Sequence, residues 1–171
     1  MAAYDISPER SVAVIDARSS LHPIHAEVHG LEGVIDMTVD QDGTIDAGSE
    51  AKGRIELATD RLQTGNPLYD RETRRRIDAR RYPTITGVLT GLAPGSAAGR
   101  YRVEGDVTFH GVTVHHDGEM AITADQADTV LLRGTHVFDV RAFGVEPPRM
   151  LMLKVEPEVT VRVDIVAVRS R

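Results

Sequence analysis

Tyr101-Arg-Val-Glu-Gly-Asp-Val-Thr-Phe109 alternates without a break. Tyr101, Val103, Gly105, Val107 and Phe109 fall on one face of an extended chain, and Arg102, Glu104, Asp106 and Thr108 fall on the other. A period of two with one dry and one wet face is the pattern of an antiparallel strand. Gly111 marks a turn, after which Val114, His116, Met120 and Ile122 hold one phase against Thr113, His115, Asp117, Glu119 and Thr123. Across 130–140, Leu132, Gly134, His136 and Phe138 lie together, opposite Leu131, Arg133, Thr135 and Val137. The last strand is the clearest, with Val159, Val161, Val163 and Ile165 inside and Glu158, Thr160, Arg162 and Asp164 outside.

Working back toward the N-terminus, weaker strands are predicted over 12–17, 24–29, 34–39, 54–59 and 84–90. Turn signals separate the strands: Gln41-Asp-Gly43, the stretch 91–99 with Pro94 and Gly95, and 125–128. The stretch 91–99 reads as a flexible hairpin loop rather than a domain boundary. Met150-Leu-Met-Leu153 is apolar at both phases, which predicts cover on both sides. The total of about eight to ten strands suits a closed barrel or a sandwich. One segment breaks the pattern. Asn66 is a helix cap, Pro67 suits the first helical position and Pro83 is a stop, so a short helical insertion is predicted at about 66–81. Six arginines fall between Arg71 and Arg81 in a chain of net charge -6.

At 171 residues the chain is expected to form a single domain, 1–171. Aromatic content of 4%, no Trp and an acidic balance argue against nucleic-acid binding. Without cysteine there is no disulfide and no thiolate chemistry. The first residues lack a basic segment followed by an apolar one, and no apolar run approaches the roughly 20 residues of a membrane span. A cytoplasmic location is the expectation.

Leu21-His-Pro-Ile-His-Ala-Glu-Val-His-Gly30 is rich in histidine. On a strand His25 and His29 stand roughly 13 Å apart at ~3.3 Å per residue, too far to share one ion. No metal is expected there. His116 and His136 fall at apolar phase and read either as partnered core residues or as general acids and bases. His110 is expected to be exposed beside a turn. His115 and His116, as strand neighbours, must face opposite ways. No phosphate loop, dinucleotide fingerprint or nucleophile elbow is present, and no cofactor is expected. The arginines read either as a solvated helix face paired to Glu72, or as an anion-binding rim of Arg71, Arg74 and Arg75 at a barrel mouth.

Several blocks together resemble the YceI-like family of polyisoprenoid-binding, lipocalin-like barrels. They are Asp16-Ala-Arg-Ser-Ser-Leu21; Thr64-Gly-Asn66 with Asp70 and Tyr82-Pro-Thr-Ile-Thr86; Val103-Glu-Gly-Asp-Val-Thr-Phe-His-Gly-Val-Thr113; and Asp139-Val-Arg-Ala-Phe-Gly-Val145. The chain departs from the family pattern where Arg71, Glu72 and Thr73 follow the Asp. The resemblance implies an all-β, eight-stranded antiparallel barrel around an apolar tunnel, extended by a helix-bearing insertion, and often a homodimer.

The expected function is therefore non-catalytic binding of an isoprenoid or quinone-like lipid. The expected wall residues are Leu57, Leu89, Val103, Phe109, Met120, Leu132, Phe138, Met150 and Met152, with Arg71, Arg74 and Arg75 for a head group and peripheral contact with a membrane. Two rival readings stand beside it. One is a cyclase-, dehydratase- or isomerase-type barrel enzyme using His25, His29, His116 or His136. The other is a filled barrel serving as an interaction or stress-response module.

Overall fold

The computed structural model describes residues 1–125, 128–150 and 152–171, and all side chains among these except that of Met150. The strands in chain order are β1 (Ala2–Ile6), β2 (Val12–Ser19), β3 (Pro23–Val28), β4 (Glu32–Met37), β5 (Lys52–Ala58), β6 (Thr84–Pro94), β7 (Arg100–Phe109), β8 (Val112–Asp125), β9 (Thr129–Asp139), β10 (Arg149–Met150) and β11 (Leu153–Arg169). The insertion forms one helix, α1 (Pro67–Arg76). Short 3-10 turns occupy Thr59–Arg61 and Val140–Phe143.

Strands β1, β4, β5, β6, β7, β8, β9 and β11 pair in that order, and β11 returns to β1. The result is a closed, eight-stranded, antiparallel barrel. Closure leaves the barrel itself without an unpaired first or last strand.

Strand β11 is long enough to serve two partners along one edge. Val155 to Asp164 pair with β2, and Ala167 to Arg169 pair with β1. β1 and β2 thus run in line, interrupted around Pro8, which has no N–H to give to a ladder. Buried Ser11 repairs the break. Its hydroxyl donates to Val166 O at 3.3 Å and accepts from Val166 N at 3.0 Å. From this break β2 and β3 leave the barrel wall as a flanking hairpin. β1 lies outside the predicted strands because five residues before a proline are too few to show alternation.

The hairpin turn between β7 and β8 uses His110 at φ 54 and Gly111 at φ 74, the left-handed pair that matches the twist of two strands. His110 corrects the expectation of an exposed residue. It is half-buried, 3.1 Å from Phe143 O through Nδ1 and packed against Tyr82. The hairpin before it is also tighter than expected. Gly91 and Pro94 belong to β6, so the loop shortens to 95–99. A bulge between Leu89 and Gly91 sets the extra residue opposite β7, and Pro94 sits at the end of the strand, where its ring is tolerated. The expected two-sided cover of 150–153 fails at Met152, which is 83% exposed because it lies at the turn into β11. Of the turn expected at 125–128, residues 126 and 127 lie outside the described residues, as does Leu151.

The barrel is closed differently at its two ends. At one end Tyr4, Met37, Tyr101 and Val130 pack together. The 38–51 loop tucks Ile45 beneath them, its N–H bonded to Tyr101 Oη at 3.3 Å. At the other end Ile77, Phe143 and Val145 form a cap over Phe109, Val107 and Phe138. Helix α1 joins the flanking hairpin through Tyr69, which packs with Ala17, Ile24, Leu153 and Val155.

Candidate functional site: an apolar cavity with a histidine pair

Five successive strands each set a glycine at inward phase: Gly53 in β5, Gly87 in β6, Gly105 in β7, Gly118 in β8 and Gly134 in β9. None has a positive φ, so no turn or strained backbone requires them. Their use is the absent side chain. Met120 fills the space at Gly134 and Ile55 packs against Gly87, whereas Gly118 borders an open cavity of about 350 Å³ between the two packed ends. Its inward side chains are almost all aliphatic, among them Ile6, Ile35, Ile55, Leu92, Val161 and Val163. A Cβ at Gly118 would have one neighbour within 4 Å, His136 Nδ1 at 3.5 Å.

Of the expected wall residues, Leu57, Leu89, Val103, Met120, Leu132 and Phe138 line this space. Phe109 sits in the end cap. Met152 stands in solvent, and the side chain of Met150 lies outside the described residues. No residue of α1 lines the cavity. On the helix, Arg71 and Arg74 are exposed, and Arg75 is held by Glu72 at 2.8 Å. Arg76 bridges Glu72 at 2.8 Å and Glu146 at 3.0 Å. The two guanidinium groups hold the Glu72 carboxyl down at about 2.

Among the described residues two polar side chains, His116 and His136, enter the cavity. His136 Nε2 lies 3.2 Å from His116 Nδ1, a hydrogen bond in which one of the two nitrogens carries the proton and the other accepts. Phe138 stands edge-on to both rings, and Phe143 stacks on His116. His116 Nε2 is buried without a hydrogen-bond partner. Burial lowers the His116 pKa below the usual 6.5, and proximity to His136 and His115 adds to this. His115 faces outward and meets Asp106 at 2.8 Å.

The pair sits where the wall parts. The ladder between β8 and β9 runs from Asp125↔Thr129 to Met120↔Gly134 and stops there. Both strands continue, β8 back to Val112 and β9 on to Asp139, each still paired on its other side. His116 and His136 bridge this seam. On the outer surface beside it lie Glu119, Arg133 and Thr135.

His25 and His29 lie elsewhere, on the flanking hairpin and the turn after it. His25 meets Asp16 across the β2–β3 ladder at 2.7 Å. Glu27 stands between the two histidines, 3.9 Å from His25 and 3.7 Å from His29. All of these groups are more than half exposed.

Sequence reasoning placed both cavity histidines inward but did not bring them together. Counting the β8–β9 register back from the hairpin would have made them diagonal neighbours.

A closed antiparallel barrel around an apolar cavity defines a lipocalin-like binding barrel. More particularly, the chain belongs to the YceI-like domain family, whose profile matches residues 4–167. Among solved structures it is similar to Burkholderia cenocepacia BcnA, at 17% identity and a TM-score of 0.77 over 95% of this chain and 99% of that one. It is similar also to a polyisoprenoid binding domain from Saccharophagus degradans implicated in plant cell wall breakdown, at 13% identity and a TM-score of 0.74 over 99% and 100% of the two chains. A Campylobacter jejuni YCEI protein matches at 13% identity and a TM-score of 0.62 over 82% and 81%. No curated protein matches the sequence. The YceI-like barrel supports hydrophobic ligand binding in general.

Proposed function

We propose that this protein binds and carries a hydrophobic small molecule inside the barrel, without catalysis. The observation that carries this reading is the apolar cavity of about 350 Å³, open over Gly118. A protein selected only for stability would fill such a space, since empty apolar volume costs about 24 cal/mol per Å³. At about 350 Å³ the cavity sits near the lower end of the ~300–1,000 Å³ range of small-molecule pockets. That favours a short isoprenoid chain, or a quinone-like ring with a short tail, over a long polyisoprenoid. The Saccharophagus domain, described as polyisoprenoid binding, has the same architecture and supports the ligand class. The rival catalytic reading needs a cavity histidine with a carboxylate partner. Among the described residues His116 and His136 bond to each other instead, which favours binding over turnover.

The test is Gly118→Leu, because a side chain there enters open cavity without meeting backbone. Wild-type protein should take up the neutral fluorescent probe N-phenyl-1-naphthylamine. The variant should bind it at least about tenfold more weakly, with an unchanged or raised Tm, since the added methyl groups fill a void. Equal affinity in the two proteins would remove the cavity as the ligand site.

A further inference from the structure

The cavity offers a ligand one place to make a hydrogen bond, and it lies where the wall opens. The two histidines share one proton between them, so two tautomeric arrangements exist. If His136 Nε2–H donates to His116 Nδ1, then the one ring proton of His116 is on Nε2, a buried N–H with no acceptor. If His116 Nδ1–H donates to His136 Nε2, the buried Nε2 is a bare lone pair, and His136 carries its proton on Nδ1. Each arrangement leaves one N–H unpaired, and the second moves it from the buried His116 Nε2 to His136 Nδ1, which faces the cavity, where an unpaired donor costs less. It leaves His136 Nδ1–H as a donor with no partner among the described residues, over the side-chain-free surface of Gly118.

The surroundings say what that donor can meet. Arg54 belongs to a lining strand, but its guanidinium is held by the neighbouring Glu56 at 2.6 Å, on the outward phase. No Arg or Lys of α1 borders the cavity. A carboxylate or phosphate inside would therefore have no fixed cation to offset its desolvation. Burial also disfavours the charged form of His116, so the pair gains little as a cation for such a group. A carbonyl or hydroxyl oxygen needs only the donor. Below Met120↔Gly134 the facing edges of β8 and β9 do not pair with each other, so their backbone groups add polarity on the seam side alone.

We propose that the β8–β9 seam, bridged by His116 and His136, is the head-group site of the ligand. It takes a neutral oxygen head, a ketone, quinone carbonyl or alcohol, with the apolar tail lying inward over the glycines. This rests on the carrier reading above, and deepens it by naming the head group and the end of the barrel that holds it.

The experiment is displacement of N-phenyl-1-naphthylamine by a matched set of C12 ligands: dodecan-2-one, dodecan-1-ol, dodecane and dodecanoate. The wild-type protein should prefer the ketone and alcohol to dodecanoate. His136→Phe keeps an aromatic ring but removes the donor. It should weaken the ketone roughly three- to tenfold relative to dodecane in the same variant, the value of one net hydrogen bond, a ratio in which any change of cavity shape or of probe affinity cancels. A second measurement needs no variant: the 15N resonance of His136 Nδ1 should move on adding dodecan-2-one and stay put on adding dodecane. A ketone affinity untouched by His136→Phe, a His136 signal indifferent to the ketone, or a preference for dodecanoate would each overturn the head-group site while leaving the carrier reading intact. Failure of the wild-type protein to bind the probe at all would overturn both.

Discussion

His116 shows how a single residue couples stability to pH. Its ring lies among Phe138 and Phe143, with His136 as its hydrogen-bonding neighbour. Burial pulls its pKa below 6.5, helped by the proximity of His136 from β9 and of His115 beside it, whose own ring turns out toward Asp106. A base with a depressed folded pKa binds fewer protons folded than unfolded as pH falls past 6.5. Its contribution to stability is complete above that value and is lost as pH falls through the lower folded value. The Tm of the wild-type protein should therefore drop on going from pH 7 toward pH 5 more steeply than that of His116→Phe. Parallel Tm profiles would show that this ring does not set the slope. The inward phase of His116 was legible from alternation alone. Its partner was not, because alternation fixes a face but not the register between strands.

The helix α1 illustrates what a local motif secures. Asn66 Oδ1 accepts from the N–H of Leu68 at 3.1 Å and of Tyr69 at 3.2 Å, as the cap reading predicts. Buried Asp70 reaches back to Thr64, accepting from its N–H at 2.8 Å and its hydroxyl at 2.7 Å. The Thr-Gly-Asn block and its Asp are thus a staple that turns the chain from the barrel into the helix, with Gly65 at φ 88 making the bend. Asn66→Ala should cost about 1 kcal/mol, the usual loss of a cap. Asp70→Ala should cost more, about 2–3 kcal/mol, because it strands two donors at once in a half-buried turn. Chemical denaturation of the two variants checks the order, and equal losses would mean that the Asp70 contacts add nothing beyond the cap. Cap and insertion were readable in sequence, but the stop was not at Pro83: the helix ends at Arg76, five residues short of the expected 81, and the chain turns away through Asp78 at φ 49. Where the helix docks was not readable, since its contact with β2, β3 and β11 rests on Tyr69, one aromatic whose neighbours lie far away along the chain.

At the scale of the whole molecule, strand phases from Tyr101 onward were legible because each of those strands has one wet face. The eight-fold closure came from the resemblance rather than from alternation, which serves a sandwich equally well. The double use of β11 was hidden, since a 17-residue strand shared by two partners reads in sequence like a strand with one. The open seam was hidden for a similar reason: residues 112–119 and 135–139 alternate as though fully paired. That shared strand has another consequence. β11 carries the last residues of the chain to β1, where Arg169 lies opposite Tyr4 and Ser170 N–H donates to Ala3 O at 2.8 Å. The two chain ends are stitched side by side in one ladder. A short glycine-rich linker could join them, and new ends could be cut between Ala97 and Ala98 in the exposed 95–99 loop. Such a circular permutant should fold to the same far-ultraviolet circular dichroism spectrum and keep its probe affinity. In it, a fluorophore or surface tether could be attached beside the β6–β7 turn, at the same end of the barrel as the original ends and away from the His116–His136 seam.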